Sequence, residues 1–195
     1  VLYEVRDGVA LLTVDNPPVN PLSDGVRAGL YEGLAKAEAD SSVVGVVLTG
    51  NGRAFIAGAD ISEFGGSGEG HGLAEVFKKL EYCSKPVVAA INGLALGGGL
   101  ETALCCNYRI ASNQAFVGLP EVNLGLLPGA GGTQRLPRLV GPAEALKIML
   151  SGAHVPAKKA LSLGIVDSLS DNVVEDSITF IKEKAAHSDT HPLVR

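Results

Sequence analysis

The segment Val87-Val88-Ala89-Ala90-Ile91-Asn92-Gly93-Leu94-Ala95-Leu96-Gly97-Gly98-Gly99-Leu100-Glu101-Thr102-Ala103-Leu104-Cys105-Cys106 decides how the chain is read. Its first five residues are apolar without alternation, the mark of a strand buried on both faces. A glycine-rich loop comes next, and the glycines open a helix over about residues 100–106. A strand at 108–111 and a short strand at 115–118 succeed it. Upstream, a helix over about 73–83 leads into the segment, and Val43 to Leu48 is a second continuous apolar run, ending in Thr-Gly. Strands alternating with helices in this way predict an α/β domain whose sheets are covered by helices.

The flanking sequence extends the pattern. Residues 2–14 read as two short strands with a turn at Asp7-Gly8. Pro17, Pro18 and Pro21 mark a loop, and Ser23 is placed to cap a helix that runs to about residue 39. Val26, Leu30, Leu34 and Ala37 fall on one face of that helix. Gly58-Ala59-Asp60 reads as a loop after Phe55, and the polar, glycine-rich stretch 65–72 as a mobile segment. Further helices are expected over 142–151, 156–163 and 172–186, the last with Val174, Ile178 and Ile181 at helical spacing. No internal boundary divides residues 1–195, which read as a single domain.

Composition narrows the function. Of the 195 residues 46% are hydrophobic and 19% charged, which excludes a disordered chain. The net charge of −5 argues against a surface that coats nucleic acid. No apolar run is long enough for a membrane-spanning helix. The three cysteines contain no CxxC pair, so they read as small buried residues in a reducing compartment rather than a disulfide scaffold or zinc site. Glycine is conspicuous, 25 of 195 residues, but it clusters without a fixed period, so no solenoid is indicated.

The P-loop, the G-x-G-x-x-G fingerprint and the G-x-S-x-G elbow are all absent. His71, His154, His187 and His191 lack metal-ligand spacing and read as surface or loop residues; no metal site is expected. Three segments remain. In Ala54-Phe-Ile-Ala-Gly-Ala-Asp-Ile61, small residues let the backbone approach a ligand and Ala59 could present its N–H; equally, the segment reads as a tight turn. In 92–101, amides at a helix N-terminus could hold a developing oxyanion, with Glu101 in the first turn. There the alternative is a Glu101 that merely complements the helix dipole. In 119–134, Glu121 stands among apolar residues, where a raised pKa would suit acid/base work; alone, it also reads as a surface acid. Together, two glutamates and two backbone donors would serve addition of water to, or proton movement beside, a conjugated carbonyl.

At these segments the sequence resembles the enoyl-CoA hydratase/isomerase (crotonase) family. The matching text is AFIAGADI (54–61), INGLALGGGLETAL (91–104) and GLPEVNLGLLPGAGGTQRLPRLVG (118–141), within a similarity running from about residue 2 to 186. NPPVNPLS (16–23) and the run from CNYRIA resemble most the N-terminal region of multifunctional β-oxidation enzymes. The resemblance implies a spiral of ββα units and a thioester substrate carried on coenzyme A. It implies backbone N–H groups of Ala59 and Gly98 as the oxyanion hole, Glu101 and Glu121 as the two catalytic acids, and Ala59, Asp60, Ile61 and Ser62 along the CoA-binding segment. The implied reaction is hydration of a trans-2-enoyl-CoA to a (3S)-3-hydroxyacyl-CoA, with no metal or redox cofactor and CoA only as part of the substrate.

The resemblance leaves alternatives. A Δ3,Δ2-enoyl-CoA isomerase would need a single acid near the α-carbon, and a non-catalytic acyl-CoA-binding module would keep the fold. Stand-alone relatives are longer at the C-terminus, so the chain is expected to be a fragment or one region of a multifunctional enzyme, with homo-oligomer formation open. Bacterial cytoplasm and peroxisomal matrix fit alike.

Overall fold

The structure is a computed structural model that describes residues 1–60, 71–187 and 190–194. Strands β1 (Leu2–Arg6) and β2 (Val9–Val14) form an antiparallel hairpin. Its turn is Asp7-Gly8, with φ of 50° and 78°; positive φ at both central positions is what a type I′ hairpin turn needs, and Asp-Gly tolerates it. Helix α1 (Asp24–Ala39) is next, its N-terminus capped by Ser23, whose side chain accepts from the Val26 amide. Val26, Leu30, Leu34 and Ala37 are buried, as their spacing predicts.

From there the chain repeats one move: a strand of a first sheet, a strand of a second sheet, then a helix. β3 (Gly45–Gly50) and β4 (Ala54–Ala57) precede α2 (Leu73–Glu81). β5 (Val87–Ile91) and β6 (Leu94–Leu96) precede α3 (Gly98–Cys105). β7 (Tyr108–Ser112) and β8 (Phe116–Gly118) precede a short 3-10 helix, Pro120–Leu124, and α4 (Gly132–Val140). α5 (Pro142–Ser151), β9 (Val155–Pro156), α6 (Ala157–Leu163), β10 (Ser168–Ser170) and α7 (Val173–His187) complete the described chain. The first sheet has the order β1-β2-β3-β5-β7-β10, parallel from β2 onward; the second has the order β4-β6-β8-β9, antiparallel only at β9. This is the α/β spiral of ββα units that the resemblance implies.

The unbroken apolar runs are explained by what covers each face. Along β2, β3 and β5, alternate side chains point to opposite sides. Ala10, Leu12, Val46, Leu48, Val87, Ala89 and Ile91 enter the main core with α1 and α3. Val9, Leu11, Val47, Val88 and Ala90 pack instead with Ile178 and Ile181 of α7. Both faces of β2, β3 and β5 are therefore dry.

Several details differ from the sequence reading. β3 begins at Gly45, and Val44 is exposed. β6 is a strand where the sequence reads as glycine-rich loop, β4 is a strand the sequence reading does not assign, and α4 is a helix despite Pro137 inside it. Cys105 and Cys106 are buried, but Cys83 only partly so. His71 is a loop residue, as read, and it stacks on Tyr31 with ring centroids 3.8 Å apart. Of the glycine-rich stretch, residues 65–70 lie outside the described residues, while Gly72 caps α2.

Candidate functional site

The β4 and β6 strands end side by side, and the residues just beyond each strand build the site. Past the end of β4, Ala59 is held by a parallel bridge to Leu22. The hydrogen bond of that bridge uses the Leu22 amide and the Gly58 carbonyl (3.0 Å), not the Ala59 N–H. Past the end of β6, Gly97 turns the chain at φ 53° and ψ −125° into α3, of which Gly98 is the first residue. An amide there has no acceptor within its own helix. A Cβ on Gly98 would stand 3.5 Å from the Ala59 nitrogen, so the two backbones are neighbours.

Glu101 lies one turn into α3 and is 2% exposed. Its Oε1 accepts from the amides of Ala130 (2.9 Å), in the loop before α4, and Gly132 (2.7 Å), the first residue of α4. It thus does more than complement its helix dipole: it is buried and holds a loop and the start of α4 through these two bonds. Burial pushes its pKa up; the two amide hydrogen bonds and the positive charge of Arg135 oppose that rise.

Glu121 projects from the 3-10 helix and is half-buried. Its Oε1 reaches to within 3.2 Å of where a Cβ on Gly97 would stand. Its Oε2 is buried without a hydrogen-bond partner among the described residues. Burial pushes this carboxyl up as well; a hydrogen bond from its own backbone amide opposes the rise, and the charge of Glu101 adds to it. Burial raises both carboxyls, and what separates them is hydrogen bonding: one oxygen of Glu101 is held by two amide donors, while Oε2 of Glu121 has no partner among the described residues.

Ala59, Gly98, Glu101 and Glu121 all line one cavity of about 750 Å³. Leu96, Phe77, Leu124 and Leu127 give it an apolar wall, and Lys78, Glu81 and Arg135 bring charge to it. The structure thus brings together the four residues singled out in the sequence. Asp60 comes directly after Ala59, whereas Ile61 and Ser62 lie outside the described residues. Sequence reading misses Arg135, Glu81 and the donor amides of Ala130 and Gly132. The glycines at 129, 131 and 132 stand out in the sequence, but nothing in their spacing indicates that the loop folds back onto Glu101. Among the described residues, no group of three or more His, Cys, Asp or Glu is placed to hold a metal ion, and no helix is long and apolar enough to cross a membrane.

Comparison with known proteins gives this geometry its context. The family model for enoyl-CoA hydratase/isomerase matches residues 4–192. The chain is 50% identical over 180 residues to the peroxisomal bifunctional enzyme of Danio rerio, covering 91% of this chain and 25% of that protein. It is 48% identical over 165 residues to a probable enoyl-CoA hydratase of Bacillus subtilis, covering 81% of this chain and 64% of that one. The chain therefore spans about a quarter of the length of the peroxisomal relatives it matches. Among solved structures, an enoyl-CoA hydratase from Bacillus anthracis superposes with a TM-score of 0.88 at 33% identity, over 96% of this chain and 77% of that one. With nearly the whole chain matched in sequence and in fold, this protein belongs to the enoyl-CoA hydratase/isomerase family.

Proposed function

We propose that the chain hydrates trans-2-enoyl-CoA thioesters to (3S)-3-hydroxyacyl-CoA in fatty-acid β-oxidation. The observation that carries this reading is the convergence of two differently held glutamates and the adjacent backbone of Ala59 and Gly98 on one cavity. The thioester oxygen accepts from Ala59 and Gly98. As water adds to C3, negative charge builds on that oxygen, and fixed donors there are worth roughly 3–4 kcal/mol each. Glu101, as carboxylate, takes a proton from the attacking water; Glu121, as acid, delivers one to C2. The apolar wall receives the acyl chain, and the CoA moiety leaves along Ala59 and Asp60. The reaction needs no metal or redox cofactor. The peroxisomal and bacterial relatives make either compartment a fit for this activity.

A second activity at the same site is favoured by the unpartnered Oε2 of Glu121. A lone acid over the α-carbon can move a proton between C4 and C2, which is Δ3,Δ2-enoyl-CoA isomerisation. The test is loss of conjugated-thioester absorbance with crotonyl-CoA, for wild type beside Glu101→Gln and Glu121→Gln. Hydration is expected to fall about 10²- to 10⁴-fold in each variant, the usual weight of a general acid or base. Isomerisation of a 3-enoyl-CoA is expected to survive in Glu101→Gln and to be lost in Glu121→Gln. Binding of crotonyl-CoA without turnover by wild type would instead mark a non-catalytic acyl-CoA-binding module.

A further inference from the structure

Arg135 sits on α4, behind the loop that reaches Glu101. Its Nε donates to Glu81 Oε1 at 2.9 Å, and its second terminal nitrogen lies 2.8 Å from the same oxygen. Its remaining terminal nitrogen donates to the Ala130 carbonyl at 2.9 Å. The guanidinium passes so close to Gly131 that a Cβ there would stand 2.0 Å from it, and Gly131 has φ 102°. The loop is thus shaped around this side chain. Ala130 is held at both ends, its carbonyl by Arg135 and its amide by Glu101. The side chains of Arg135 and Glu81 are only 14% and 16% exposed. An ion pair this deep gains little net stability after desolvation, so a positional role accounts for it better.

We propose that Arg135 is a positioning residue for Glu101: by bridging Glu81 on α2 to the Ala130 carbonyl, it fixes the loop whose Ala130 and Gly132 amides orient the Glu101 carboxylate. Glu81 in turn offsets the charge that Arg135 presents to the cavity. The kinetic form of this inference rests on the hydratase reading. The charged and titratable groups around Glu101 are few. Arg135 of α4 acts on its carboxyl, and Glu81 and Lys78 of α2 and Glu121 of the 3-10 helix line the same cavity. Cys105, on its own helix, is a thiol that burial keeps well above its ordinary value and hence neutral. β4, β5 and β6 contribute none. On β7, Arg109 serves the other end of α3 by donating to the Cys106 carbonyl, and Tyr108 belongs to the outer aromatic contact with Phe180.

The test compares Arg135→Gln, Arg135→Lys and Glu81→Gln in kcat, KM and the acid limb of kcat/KM for crotonyl-CoA, with folding checked by circular dichroism. Arg135→Gln removes a positive charge, so the limb is expected to move up. Glu81→Gln removes the opposing negative charge, so it is expected to move down. Arg135→Lys keeps the charge but cannot span both partners. Its limb is expected to stay in place while kcat falls about tenfold at similar KM, the scale of a small misplacement of a catalytic group. In folded variants, an Arg135→Lys kcat equal to wild type, or limbs that do not move or that move in the same direction, would overturn the proposal. Should both Arg135 variants fail to fold, Glu81→Gln decides alone. Should wild type show no turnover, the hydratase reading falls, and the same opposite shifts are read from the ¹³C carboxyl titration of Glu101, assigned by its loss in Glu101→Gln.

Discussion

At the scale of single residues, the site works by leaving room. Gly132 donates its amide to Glu101, and a Cβ on it would stand 2.9 Å from Glu101 Oε1, 3.0 Å from Leu119 Cδ1 and 3.1 Å from Pro128 Cβ. The carboxylate end is the softest of these three, so it is the one that gives way. Gly132→Ala is therefore expected to lower kcat about tenfold to a hundredfold, by misplacing the base, with KM for crotonyl-CoA changed far less. Steady-state kinetics checks this; an unchanged kcat would mean that the carboxylate tolerates displacement. The same contacts explain what the sequence could and could not reveal. Glu101 and Glu121 are legible as lone acids among apolar residues and glycines. Their difference is not legible, because it comes from amides 29 and 31 residues away in the chain and from an oxygen left without a partner.

At the scale of elements, the site depends on how closely α3 approaches β4. A Cβ on Gly99 would stand 1.9 Å from the Ile56 carbonyl oxygen, a backbone atom that cannot turn aside. Gly99→Ala must push α3 off the second sheet. The expected cost is about 3 kcal/mol, the upper part of the usual range for overpacking. Because Gly98 and Glu101 ride on the same helix, activity is expected to fall with stability. Urea unfolding of the variant checks the first expectation, and a midpoint equal to wild type would show that the helix can slide without loss. The close approach also explains why β4 and β6 escape a reading of the sequence. They have four and three residues, and they are flanked by glycines that read as loop. Their strand character comes from pairing with one another across a register shift between Ala54 and Ile56, not from local propensity. Helix α4 is obscured in a similar way, by its glycine start and by Pro137. The long apolar strands of the first sheet are legible because burial on both faces leaves a continuous signal that needs no partner to be seen.

At the scale of the whole molecule, the site is maintained against the stability of the fold that carries it. Glu101 and Glu121 both have folded-state pKa values above the ordinary 4.5. Between the unfolded and folded values, the native chain keeps a proton that the unfolded chain has already released. Stability therefore falls as pH rises through that interval, and the deficit persists above it. Glu121 is the better probe, because its Oε2 has no partner among the described residues to lose. Glutamine at that position has nearly the shape of the protonated acid and cannot ionise. Glu121→Gln is thus expected to melt at a higher temperature than wild type at pH 7, and the gain is expected to shrink as pH is lowered toward 4.5 and vanish below it. Thermal melts across that range decide the matter: a gain that is independent of pH would assign the effect to packing, and a loss at pH 7 would mean that the ionised carboxyl finds stabilising partners. A higher melting point at neutral pH, in a variant that no longer hydrates crotonyl-CoA, would locate the cost of catalysis in a single carboxyl that the fold keeps from water.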